Sequence, residues 1–92
     1  MASSGDDLVK LTAIWALLQM GPPSEEFVKM SLPLLTDALG SQREMVRVEA
    51  AMSLGHLGKA ASSSLPALEK AQQDPSSSVR SAASEAIKKI KE

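Results

Sequence analysis

His56 is the only histidine of the chain, and no cysteine accompanies it. That pairing removes disulfide frameworks, thiolate nucleophiles, iron–sulfur clusters and cysteine-held zinc. Within its own helical stretch the one carboxylate near His56 is Glu49, seven residues back, so a metal or an acid–base role has little to build on. A solvated imidazole near a helix C-terminus, favoured by the dipole when protonated, is the plainer reading. The runs Ser62-Ser63-Ser64 and Ser76-Ser77-Ser78 have no base placed to activate a hydroxyl and read as loop and cap material. Gly55 and Gly58 follow no strand, so they do not make a phosphate loop. Lys88, Lys89 and Lys91 could meet phosphates, but three lysines in a last helical turn are also what the dipole favours. No catalytic, cofactor-binding or metal residue is expected.

The elements that position these residues must be helices. A chain of 92 residues with 13 Ala and 12 Leu, against one Trp and one Phe, has room for one domain with a thin, close-packed core. Self-comparison then shows an internal repeat. The run from Val46 to Gly58 returns 33 residues later as Val79 to Lys91, and appears 37 residues earlier from Val9 to Gly21. Five columns stay apolar or small: Val9/Val46/Val79, Ala13/Ala50/Ala83, Ala16/Ser53/Ala86, Leu17/Leu54/Ile87 and Met20/Leu57/Ile90. Their spacing is one helical stripe, expected to face the core. A second element, Leu32-Pro33-Leu34-Leu35, recurs as Leu65-Pro66-Ala67-Leu68.

This pattern predicts five helices over about 8–20, 25–39, 43–57, 62–73 and 77–91, the second kinked at Pro33. The fourth is shorter than the second by a turn, which accounts for the two offsets. Residues 1–7 are read as a disordered or extended segment ahead of a repeat domain over 8–91, with repeat boundaries near 21–24, 40–42, 58–61 and 74–76. Ser24 is an expected N-cap, Ser41 with Glu44 a capping box, Asp74-Pro75 a cap followed by proline at the first helical position, and Gly58 a helix terminator.

Together the Val46-Arg47…Ala50-Ala51…Leu54-Gly55 run, the two Leu-Pro-x-Leu elements, and Asp74 six residues before Arg80 resemble HEAT repeats, in particular the HEAT-like type named after phycobilisome lyases. The resemblance implies an all-α superhelical solenoid, here about two and a half repeats, in which proline kinks the first helix of each pair. It also implies an inter-repeat ladder of Asp and Arg, complete only around Arg47, Asp74 and Arg80. The Asp column otherwise holds Ser41 and Ser4, and the Arg column holds Lys10.

Function is then sought on columns outside the core stripe. Trp15/Met52/Glu85 and Gln19/His56/Lys89 stand one turn apart on the second helix of each pair. Trp15 beside Met52 on a charged face fits a protein-binding hot spot; Trp15 packing between repeats is the competing reading. The leading expectation is a non-catalytic interaction or scaffold module that forms part of a longer repeat protein and binds a protein partner without a cofactor. The rival is a fragment or subunit of a repeat enzyme such as a bilin lyase. Nucleic acid is not expected, since residues 1–46 carry three basic against six acidic side chains. With no signal-like start and no apolar run of about 20 residues, no membrane partner is expected and a cytoplasmic location is the default. The columns Leu11/Val48/Ser81, Ile14/Ala51/Ser84 and Leu18/Gly55/Lys88 pass from apolar to polar along the chain. The last helix therefore reads as a cap near a natural C-terminus. The first, apolar nearly all round, calls for upstream repeats or a homodimer through that helix.

Overall fold

The computed structural model describes residues 4–21 and 23–92, with the side chains of 4–8 and 10 outside that description. The described chain is all helical: α1 (Ser4–Gln19), α2 (Glu25–Ala38), α3 (Glu44–Leu57), a 3₁₀ segment (Gly58–Ser64), α4 (Leu65–Ala71) and α5 (Ser77–Lys91). α2 starts where Ser24 accepts a hydrogen bond from the Phe27 amide at 3.1 Å, with Glu25 and Glu26 in the first turn. That arrangement satisfies an orphan donor and complements the dipole. α3 ends at Gly58, whose φ of 65° is open chiefly to glycine. At α5, Ser76 caps the Val79 amide at 3.4 Å and three lysines occupy the last turn.

Two layers result. α1, α3 and α5 lie side by side, while α2 covers α3, and the 3₁₀ segment with α4 covers α5. The smallest extent, 18 Å, is about two helix layers at 8–10 Å between axes. Val46, Ala50 and Leu54 of α3, Val79 and Ala83 of α5, Leu35 of α2 and Leu68 of α4 are wholly buried. Leu57 and Ile87 are half-buried at its edge. Among the described residues no helix is long and apolar enough to cross a membrane.

Several sequence expectations need correction. Residues 4–7, read as extended, are the first turn of α1, while 1–3 lie outside the described residues. The fourth helix begins at Gly58 rather than 62, in 3₁₀ form, with Ala61 out of helical geometry at φ −97°, ψ 18°. Pro66, which lacks the donor that an α-helical bond back to Ser62 needs, sits at the start of α4. Counted from Gly58, Pro66 holds the place in its element that Pro33 holds in α2. The 37 against 33 offset therefore comes from the link between α1 and α2, not from a longer second helix; α3 passes straight into the 3₁₀ segment.

The largest correction concerns α1. Its share of the core stripe is exposed: Val9 by 68%, Leu17 by 50% and Met20 by 81%, with Ala13 and Ala16 also in solvent. Leu11, Ile14 and Leu18 are buried instead. The stripe is buried in α3 and α5 because a helix of the same pair covers it, and no described helix stands there for α1. What α1 does have is α3 beside it, so its lateral face is the one that closes.

Candidate functional site

The capping groups and the ladder are one system around the turns that lead into α3 and α5. Ser41 Oγ accepts from the Arg43 amide at 3.1 Å, and 33 residues on Asp74 Oδ1 accepts from the Ser76 amide at 2.9 Å. Arg47 Nη1 donates to the Ser41 carbonyl at 2.9 Å, as Arg80 Nη1 does to the Asp74 carbonyl at 2.8 Å. What differs is the carboxylate. Asp74 also receives Arg47 in a fork, Nε to Oδ2 at 2.8 Å and Nη2 to Oδ1 at 3.2 Å, a paired geometry that suits guanidinium. Among the described residues Arg80 reaches backbone carbonyls only, those of Asp74 and Pro75. The Ser4 and Lys10 positions of this column lie outside the described side chains.

These geometries revise two caps. Arg43, not Ser41, is the N-cap of α3, and it caps without a side-chain bond. Ser76, not Asp74, caps α5. Ser and Asp hold their turns through the amide two residues on. Glu44, instead of closing a capping box, accepts a hydrogen bond from Ser76 Oγ. The Asp74 carboxyl is held below the usual carboxylate range, first by the Ser76 amide; desolvation opposes this, and the hydrogen bond and charge of Arg47 and the charge of Arg80 reinforce it.

On the layer formed by α1, α3 and α5 the expected binding columns largely converge. A groove of about 540 Å³ is lined by Trp15 of α1, Met52 of α3, and Glu85 and Lys89 of α5. Trp15, half-buried, meets His56 edge to face with ring centroids 5.3 Å apart and planes at 66°. His56 is exposed and does not line the groove. Gln19 is exposed at the end of α1 and does not line the groove. Met52 is 42% exposed. Trp15 thus touches α3 through the His56 ring while its side chain borders the groove.

Sequence reasoning missed Val48, Ser77, Ser78 and Ser81, which also line the groove. Val48 and Ser81 belong to a column next to the Trp15 column, and a groove between parallel elements is bounded by two adjacent columns. The Gly55 floor carried a signal too. A Cβ there would lie 2.8 Å from Ala86 Cα, so glycine lets α3 and α5 approach closely and shapes the groove bottom. Among the described residues no three His, Asp or Glu side chains gather as metal ligands.

Compared with known families, residues 1–92 match the family model described as HEAT repeats. No curated protein and no solved structure matches the chain.

Proposed function

We propose, from the premise that this chain belongs to the HEAT-repeat family, that it is a non-catalytic interaction or scaffold module whose groove between α1, α3 and α5 receives a segment of another polypeptide. HEAT repeats commonly mediate protein interactions, and the observation that carries the assignment to this face is the Trp15–His56 pair standing beside exposed Met52. Trp15 is pre-set by its edge contact, so it loses little freedom on docking, and Met52 adapts its shape to what arrives. Glu85 and Lys89, one turn apart at the groove wall, add charges of both signs, which suits a peptide of mixed charge better than a polyanion.

The test places a photo-crosslinking residue at Met52 and, separately, at Glu69, which is exposed on the opposite layer. A discrete polypeptide adduct from position 52 that is absent from position 69, and is lost when Trp15→Ala is added, is the expected result. Saturable thermal stabilisation by a bilin, a nucleotide or a metal, with no adduct at 52, overturns the reading.

A further inference from the structure

α3 and α5 run parallel and in register, and this gathers charge at one end of the groove. Glu44 meets Ser76 near the starts of the two helices, and Gly55 meets Ala86 about three turns on. Four residues past Gly55 stands Lys59, and the same count past Ala86 reaches Ile90, with Lys88, Lys89 and Lys91 around it. All four lysines are exposed, and among the described residues none is in an ion pair. The groove follows α5 from Ser77 to Lys89, about 18 Å at about 1.5 Å per residue, so it opens onto this corner.

The helix dipoles do not neutralise the corner. The C-termini of α3 and α5 contribute about half a negative charge each, and Glu92 one more, which leaves about two of the four lysines unmatched. At the other end of the groove the guanidiniums are already engaged, Arg47 with Asp74 and Arg80 with backbone carbonyls. Glu25 and Glu26 open α2, in the covering layer. A further repeat extends the row of α1, α3 and α5 sideways and leaves the groove face open.

On the premise that the groove is a polypeptide site, we propose that its occupant is a segment with an acidic end: an apolar side chain lies against Trp15 and Met52, and the carboxylates that follow lie over the lysine corner. Glu85, one turn before Lys89, faces an amide or a cation of the same segment, which disfavours a uniform polyanion.

The probe is a display library of random peptides of roughly 12 residues, long enough even as a helix to run the length of the groove, selected on the whole chain. Recovered peptides are expected to carry acidic residues on one side of an apolar one. Their binding is expected to weaken at least tenfold with Lys89→Glu and to change less than about twofold with Lys70→Glu, the same reversal at an exposed lysine of the covering layer. It is also expected to weaken several-fold as salt rises from about 0.05 to about 0.5 M. Peptides that are lost with Met52→Ser, yet carry no acidic excess and ignore Lys89→Glu, overturn the charge assignment and leave the groove reading standing. Peptides that ignore Met52→Ser, or the recovery of none, overturn both. Tighter binding of a single-stranded RNA than of any selected peptide overturns the proposal in favour of nucleic acid, and self-association that Lys89→Glu abolishes overturns it in favour of a second copy.

Discussion

α1 and α5 are the same repeat element, and they close opposite faces. α5 buries Val79, Ala83 and Ile90, packs Ala86 against Gly55 of α3, and turns Ser81, Ser84 and Lys88 to water. α1 buries Leu11, Ile14 and Leu18 against α3 and leaves Val9 and Leu17, with Met20 just past its end, outside. α3, between them, closes both faces, with Val46, Ala50, Ala51 and Leu54 all inaccessible. In an array of this kind a stripe marks capacity for burial, and the neighbour decides whether the capacity is used.

The most direct way to break that comparison is one truncation in one column. Leu54→Ala removes a wholly buried side chain and is expected to cost about 2–5 kcal/mol by urea denaturation. Leu17→Ala, the same column in α1, is expected to cost less than about 1 kcal/mol because half the side chain already meets water. Equal losses would mean that the α1 stripe is covered in solution. Met52→Ala, at the groove, belongs with the small effect.

A narrower test uses the column Leu18/Gly55/Lys88. α1 meets α3 through buried Leu18, whereas α3 meets α5 at Gly55, with no space for a Cβ against Ala86. Gly55→Ala gains about 1 kcal/mol of helix propensity but forces the backbones apart, for a net loss of about 1–2 kcal/mol. A Gly55→Ala chain that melts higher than the parent would show that α3 and α5 separate at no cost.

The ladder adds a pH dependence confined to the α3–α5 side. The Asp74 carboxyl lies lower in the folded chain than in the unfolded one, so its stabilisation is complete above the ordinary carboxylate range, near pH 4. It is lost as pH falls through the lower folded value. Asp74→Asn should therefore lower stability at neutral pH and shrink the difference from the parent chain in acid. Parallel stability curves for the two chains down to pH 2 would show that Asp74 carries no such linkage.

How much of this was legible follows from which interactions are local. The stripes of α3 and α5 and the Ser24 cap could be read because residue type and spacing encode them, whereas the pairing of Arg47 with Asp74 is what the resemblance to HEAT repeats implies. Of the two columns singled out on the sequence, Trp15, Met52, Glu85 and Lys89 line the groove. Gln19 and His56 fell outside the groove because α1 ends there and because His56 turns to the ring of Trp15. The face that α1 buries could not be read from its own residues: both Leu11-Ile14-Leu18 and Val9-Leu17-Met20 are competent stripes, and the choice lies with a neighbour elsewhere in the fold. The caps at Ser41 and Asp74 were misplaced by two residues because a side chain that holds a turn and one that caps a helix carry the same sequence signature.

One further expected effect has the opposite sign and sharpens the comparison at its centre. Ser53 occupies the column that holds Ala16 in α1 and Ala86 in α5, and its Oγ is buried with no hydrogen-bond partner among the described residues. Ser31 and Ser64, buried to the same degree, each have one. A hydroxyl taken from water without compensation is a cost, and alanine is also the better helix former. Ser53→Ala is therefore expected to stabilise the chain by about 1 kcal/mol. Ser31→Ala, which removes a bond the structure does make, should be neutral or destabilising. If Ser53→Ala lowered the urea midpoint, the hydroxyl would have to be bonded in solution, and α3 would owe part of its burial to a polar contact that its counterparts in α1 and α5 do without.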